Sequence, residues 1–385
     1  MIGQAVSDQA AQSLKRQRLL SLDVLRGLTV ALMILVNNAG DGKVSFAQLR
    51  HSVWNGCTLT DLVFPMFLFI VGVSVALAFR SRVANGSSRE AILRQALQRA
   101  LTILLIGLLL NALPYFDLSH LRYYGVLQRI GVCYAVASAI YLYGGVRWAL
   151  LVALSTLVAY WFLLTHVSVP GFGMPGVNVC ILDPHGNLTA WLDRALVPSA
   201  HLYHRGFYDP EGLLSTMGAL ATTLIGVVAG RWLQSSRTVE TKSVLTATAG
   251  VLLSVAGLLW AHSLPLNKRL WTSSYVCWTA GISLMILALL FWLVDGPWQM
   301  RRGLLPWRIF GTNALVAYML SELLAIVLAS IPVHGPGNLQ GWLFHLLPSW
   351  LGSPPFVSMV YSILFTAVCM LPVAELYRRK VFLKL

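Results

Sequence analysis

Ten apolar stretches of about 20 residues, each long enough to cross the hydrocarbon core of a bilayer as a helix, dominate this sequence. They run approximately over 19–38, 59–79, 94–113, 121–143, 146–167, 211–233, 243–263, 272–294, 307–331 and 355–377. Backbone in lipid must satisfy its own hydrogen bonds, so such runs restrict the chain to an all-α polytopic membrane protein. Composition agrees: 57% of the 385 residues are hydrophobic and 11% charged, against about 25% charged in a soluble domain. The alternating ten-residue strands of a membrane β-barrel are not found.

Lys and Arg number 28 against 14 Asp and Glu. They are spread thinly between the apolar runs, which reads as membrane topology rather than as a nucleic-acid-binding surface. If the N-terminus is cytoplasmic, most of them fall on that side. The opposite side keeps only Lys43, Arg50, Arg122, Arg194, Arg205, Lys268 and Arg269, with Arg129 inside a span. Both termini are therefore expected to be cytoplasmic. Residues 1–18 form a cytoplasmic tail, and 19–385 form a single membrane domain with structured outer loops at 38–58 and 168–210. The first apolar run lacks a small-residue cleavage site and reads as an uncleaved span. The five cysteines, at 57, 133, 180, 277 and 369, have no CxxC spacing and give no disulfide framework.

Ionisable residues are costly inside a membrane, so the few that occur there mark candidate sites. Asp23 and Arg26 lie three residues apart on one helix face; they form an anchoring ion pair, or Arg26 contributes to a site for an anionic group, which a guanidinium suits. Asp61 opens the second span, where a carboxylate complements the helix dipole. His51 stands ten positions earlier at the same outer face. A carboxylate that fixes an imidazole tautomer makes a general base. Arg129 has no acidic neighbour in its own helix; it either pairs with a residue of another span, for which Glu322 is the candidate, or lines a wet cavity. Asp209 and Glu211, in Asp-Pro-Glu-Gly, either cap the sixth span or bind a polyhydroxylated ligand. Asn267, Lys268 and Trp271 form either a sugar-binding edge or an interfacial anchor belt. His185, His201, His204, Asp183 and Asp209 share one loop but lack a metal-ligand spacing, so no metal is expected. GxxxxGK[ST], HExxH and GxSxG patterns are missing, which leaves P-loop, zincin and α/β-hydrolase chemistry without support.

Several of these blocks carry a family likeness: Leu19-Leu20-Ser21-Leu22-Asp23-Val24-Leu25-Arg26-Gly27, then Val36-Asn37, then His51-Ser52-Val53-Trp54-Asn55-Gly56 with Asp61-Leu62-Val63-Phe64-Pro65. Gly125-Val126-Leu127-Gln128-Arg129-Ile130-Gly131, Tyr208-Asp209-Pro210-Glu211-Gly212, Pro265-Leu266-Asn267-Lys268-Arg269-Leu270-Trp271 and a weaker Gly311-Thr312-Asn313-Ala314 follow in order. In these blocks the chain resembles the heparan-α-glucosaminide N-acetyltransferases and their bacterial homologues, within a wider group of transmembrane acyltransferases.

The resemblance implies that acetyl-CoA binds from the cytoplasm and that its acetyl group passes to the amine of a glucosaminide on the far side. It singles out His51 as the acetyl-transfer residue, by direct base catalysis or through an acetylated imidazole. Asn37 would hydrogen-bond the thioester carbonyl, and Asp61 would orient His51. Arg26 with Asp23, and Arg129 with Gln128, would hold phosphate or line the path of the coenzyme. Trp54, Asn55, Asp209, Glu211, Asn267, Lys268 and Trp271 are the candidates for the acceptor. The lysosomal members carry an extra luminal domain and one more span, so a bacterial-type protein of the inner membrane is expected. The polar stretch Asn38-Ala39-Gly40-Asp41-Gly42 lengthens the loop before His51, and the acceptor is expected to be free or terminal glucosamine, a chitin-derived sugar or a cell-wall amino sugar.

The competing class is an amino-sugar transporter, which ten spans and buried charges would also suit, although no inverted repeat is evident. A sugar O-acyltransferase is the nearer rival. A membrane scaffold leaves the polar residues gathered at one face unexplained. A homodimer is compatible with such a bundle, but no small-residue stripe demands one.

Overall fold

The computed structural model describes residues 19–334 and 337–382; the tail assigned to residues 1–18 lies outside the described residues. Among the described residues the regular structure is all-helical apart from one pair of two-residue strands. In order come α1 (Leu20–Asn37), α2 (Leu59–Ala84), α3 (Arg89–Ala112), α4 (Val126–His166), the short loop helix α5 (Leu188–Leu196), α6 (Thr216–Leu233), α7 (Val239–Trp260), α8 (Ser273–Leu290), α9 (Leu305–Thr312), α10 (Ala314–Ser330), α11 (Leu339–His345) and α12 (Pro354–Arg378). Strands Pro332–Val333 and Gly337–Asn338 pair antiparallel between α10 and α11.

Eight of these helices are long and apolar enough to cross a bilayer, and α9 with α10, bent by 85°, makes a ninth if the pair is one span. Ten stretches are expected from the sequence, and the difference in count falls at two places. The stretches 121–143 and 146–167 are the two helical arms of α4, which abut without a polar loop and so run on as one continuous segment. The arms part at Gly145, whose φ of 69° and ψ of −166° break the helical path where a Cβ would be strained. The stretch 307–331 is likewise interrupted, at Asn313 (φ −129°, ψ 44°), whose side-chain amide donates to Val381 O at 3.1 Å.

Packing follows where small residues let backbones approach. α2 runs against α6, and a Cβ on Gly226 would stand 2.0 Å from Phe69 O, one on Gly72 1.9 Å from Thr223 O. This is the close crossing that small residues permit in lipid, used here within the chain. Outer helices present apolar stripes instead: Leu97, Leu101, Leu105 and Leu109, at helical spacing on α3, are all exposed.

The bundle has two unlike ends. At one, Leu20 and Asp23 of α1, Arg308 and Thr312 of α9, and Tyr377, Arg378, Lys380 and Phe382 at the end of α12 surround a cavity of about 540 Å³. The carboxylate of Asp295 accepts the backbone N–H groups of Leu20 and Ser21 there, at 3.2 and 2.9 Å, completing the N-terminus of α1 as an anion should. At the other end, the segments before α2, α6 and α8 fold together over the helices and build the site.

Candidate functional site

Asp61 performs two tasks at the start of α2. Thr58 is the N-cap, and Asp61, at the third helical position, reaches back to its N–H in a capping box. Its Oδ2 accepts from Thr58 N at 3.0 Å, Thr58 Oγ1 at 3.0 Å and Ser52 N at 3.1 Å. The other oxygen is thereby aimed at His51, and Nδ1 lies 2.7 Å from Oδ1. Asp61 is fully buried while the His51 side chain remains 42% exposed. This arrangement puts the imidazole proton on Nδ1 and the lone pair on Nε2. From below, the Tyr275 hydroxyl donates to Asp61 O at 2.5 Å.

Two loops distant in sequence are pinned together at this point. Gly56 N donates to Leu266 O at 2.7 Å, and Asn267 Nδ2 donates to Asn55 Oδ1 at 3.1 Å. Lys268 is the next residue, and its Nζ lies 3.1 Å from Nε2 and 3.2 Å from Nδ1 of His51. Burial pushes its ammonium below the ordinary lysine value, against the opposing pull of Glu211 and Asp61. Burial and the nearby Asp61 push the Cys57 thiol up to about 12, so this neighbour is no nucleophile at neutral pH.

A second cluster adjoins the first. Arg122 grips Asp209 with two bonds, Nε to Oδ2 at 2.8 Å and Nη2 to Oδ1 at 2.5 Å, and reaches Glu211 Oε2 at 2.5 Å. Burial opposes ionisation of Glu211, but Arg122, Arg129 and Lys268 outweigh it and hold the carboxyl below its ordinary value. Asp209 N in turn donates to Asp193 Oδ2 at 2.9 Å. Asp193 is completely buried, its Oδ1 has no hydrogen-bond partner, and desolvation raises it to about 6. Arg122 and Asp193 escaped the sequence reading. Arg122 stands in a loop and is half-buried, Asp193 lies in α5 beside Arg194, and only the fold shows that Asp193 is fully buried and that Arg122 meets two carboxylates.

The structure groups some candidates and separates others. His51, Asp61, Asn55, Asn267, Lys268 and Glu211 meet at the loop end. Trp54 lies beside them, its Nε1 donating to Leu182 O at 2.7 Å and its ring edge-on to Tyr208 at 5.3 Å. Arg129 is here too, not beside Arg26. It is 2% exposed, donates to Gly212 O at 3.1 Å and Ser215 Oγ at 2.5 Å, and stacks over Trp271 at 5.2 Å. These are its partners in place of Glu322, which interacts with Tyr318 and Asn37. Trp271 is wholly buried, at a φ of 54°, with Nε1 on Thr222 Oγ1 at 3.1 Å; it faces the core, as does the buried Gln128. Arg26 and Asp23 form their ion pair at 3.1 Å on α1, and Arg26 also bonds Gly311 O and Ser74 Oγ. Among the described residues no three His, Cys, Asp or Glu side chains are grouped as metal ligands. His201 instead stacks on Tyr123, and His185 packs edge-on to Phe207.

Fold and site together define a multi-pass membrane protein with a His–Asp pair and a lysine at one end of the helical bundle and a cationic cavity at the other. Residues 18–190, which contain both members of the pair, match the family described as heparan-alpha-glucosaminide N-acetyltransferase, catalytic. Over this stretch, a little under half of its length, the chain is similar to that family. It is 31% identical over 359 residues to the heparan-alpha-glucosaminide N-acetyltransferase of Mus musculus, covering 80% of this chain and 54% of the relative. The Homo sapiens protein of the same name is 30% identical over 356 residues, covering 78% and 52%. The chain thus spans about half the length of each of these relatives.

Proposed function

We propose that this protein transfers the acetyl group of cytoplasmic acetyl-CoA to the amine of a glucosamine-type sugar on the outer side of a bacterial inner membrane. The observation that carries the reading is His51: its Nδ1 is held by a buried carboxylate at 2.7 Å while the ring stays accessible, within the segment that matches the catalytic family.

The two ends of the bundle suit the two halves of acetyl-CoA. Arg308, Arg378 and Lys380 line the cavity at one end and would hold the phosphates, guanidinium groups being suited to them. α1 starts at that cavity with Leu20 and Asp23 and finishes with Asn37, about 27 Å on at 1.5 Å per residue. A long, thin pantetheine arm matches such a path, and the phosphates stay where water is. This assignment puts the basic end in the cytoplasm, with Arg26 above the phosphates. The co-substrate supplies an activated acyl thioester.

At the loop end, the Nε2 lone pair of His51 takes a proton from the attacking amine, and Asp61 stabilises the imidazolium. Asn37, exposed at the end of α1, is the donor for the thioester carbonyl as charge develops on oxygen. Asn55, Trp54 and Lys268 face the acceptor. Asp209 and Asn267, both fully buried, act as its walls with Trp271 packed behind them in the core, and the negative field of Glu211 draws in the sugar ammonium.

The test is transfer of labelled acetyl from acetyl-CoA to glucosamine by the purified protein in detergent, with His51→Ala alongside. N-acetylglucosamine formed by wild type and lost in a folded variant is the expected result. Uptake of amino sugars by proteoliposomes without transfer would identify a transporter instead, and a hydroxylamine-labile product would identify O-acylation.

A further inference from the structure

Acylating a sugar amine that arrives as an ammonium ion strips two protons from one nitrogen. The first must leave before the lone pair exists; the second leaves as the amide forms. A neutral imidazole accepts only one at a time. The site holds a second nitrogen base at the right place. Lys268 Nζ lies 3.1 Å from His51 Nε2, so a nitrogen brought to that lone pair is also within reach of Nζ directly or across one water.

We infer that Lys268 is the first proton acceptor: its neutral amine deprotonates the incoming sugar ammonium, and His51 then serves the second proton. This rests on the amide-forming reading above. The steps balance. The sugar ammonium gives one proton to Lys268 and becomes a free amine. Its nitrogen forms the C–N bond as the C–S bond breaks, and the electron pair of that bond stays on sulfur. His51 moves the second proton from nitrogen to the thiolate, so the products are the amide, the free thiol of coenzyme A and a protonated Lys268. That lysine returns its proton to water.

The surroundings fit this cycle. Lys268 faces His51, Asp61 and Cys57 from the loop and helix start before and within α2, Glu211 from the loop before α6, Arg129 from α4, and its own neighbour Arg269. Burial first, then Arg269 and Arg129, loosens the hold of Lys268 on its proton, while Glu211 and Asp61 steady the ammonium once formed. Arg269 is held aside by Tyr208, to which it donates at 2.7 Å. A permanently charged Lys268 would repel an ammonium acceptor; a neutral one receives it.

The experiment measures kcat/KM for glucosamine from about pH 6 to about pH 9.5 with the full chain in detergent, as wild type, Lys268→Met and Lys268→Arg. At about pH 6.5 both variants should lose about 100-fold, the scale of one general base. Lys268→Met should regain most of this at about pH 9.5, where the sugar amine arrives neutral by itself. With an O-alkyl hydroxylamine acceptor, already neutral at about pH 6.5, the loss in Lys268→Met should be far smaller than with glucosamine, and the activity that remains also shows that the variant is folded. A Lys268→Arg profile equal to wild type, or a Lys268→Met loss that is the same at every pH and with both acceptors, overturns the inference. Wild type that acetylates no amine at all overturns the function beneath it instead.

Discussion

Asn267 donates its side-chain amide to Asn55 at 3.1 Å across 212 positions of sequence, and this contact brings Lys268 against His51. The neighbouring bond from Gly56 N to Leu266 O makes the junction a backbone clasp as well. Everything the site does at this end depends on two loops that enter different helices, α2 and α8, holding one register. Asn267→Ala should therefore lower kcat at about pH 7 by roughly tenfold or more while leaving KM for acetyl-CoA unchanged, since the proposed function holds the coenzyme phosphates at the opposite end. A steady-state comparison of both substrates reads this directly.

Asp61→Asn separates the two tasks of that carboxylate. The amide still caps α2 with its oxygen, but it no longer holds His51 as an ion partner. A loss of about 100-fold or more in kcat, from a protein whose melting temperature falls by only a few degrees, is the expected pattern. Asp61→Ala should add about 1 kcal/mol of destabilisation for the missing cap. Parallel activity and thermal-melting measurements distinguish the two.

Arg122→Met leaves Asp209 and Glu211 buried without their shared cation. Stranding buried charge in this way costs about 3–5 kcal/mol, so the variant should melt far below wild type or fail to accumulate. Glu211, held below its ordinary value, contributes stability above the usual carboxylate range, and this is lost as pH falls through its folded value. An acid-induced loss of stability below about pH 4.5 should accordingly shrink in Glu211→Gln.

Asp193 works in the other direction. Its folded value is raised from 3.8 to about 6, so its contribution to stability is present below the unfolded value and fades as pH rises through the folded one. Going from about pH 5 to about pH 7.5 should remove roughly 1 kcal/mol. Asp193→Asn should flatten this slope and leave the protein more stable at neutral pH. Melting curves of the two proteins at the two pH values decide it; a wild type insensitive to pH in this window counts against the assignment.

Gly226→Val probes the α2–α6 crossing. The new Cβ would stand 2.0 Å from Phe69 O, a backbone atom that cannot step aside. A penalty of about 3 kcal/mol or more is expected from such overpacking, seen as loss of monodisperse protein in gel filtration, whereas a serine on the exposed face of α3, at Leu101, should be tolerated.

Much of the architecture was legible along the chain. Runs of about 20 apolar residues admit nothing but helices in lipid, and the polar segments between them marked where the site residues lie. His51 and Asp61 were readable as a pair because they flank one helix start at a separation of ten. Less legible were the breaks. Gly145 and Asn313 look like many other residues in apolar surroundings, and only their dihedrals show that one helix is kinked and one span interrupted. The pairing of Arg129 with Glu322 was the natural inference from two lone charges, yet Arg129 is satisfied in part by Gly212 O and Ser215 Oγ.

The sequence by itself determined that this chain lives in a membrane as a helical bundle, because hydrophobic length and the cost of unpaired backbone are local, additive properties. It also carried the motifs through which residues 18–190 match the catalytic family model. The tertiary structure decided which charges meet. Lys268 stands on His51, Arg122 clasps Asp209 and Glu211, and Arg26 lies away from Arg129. These pairings join residues tens to hundreds of positions apart, and electrostatic contact depends on distance in space, which no local pattern encodes.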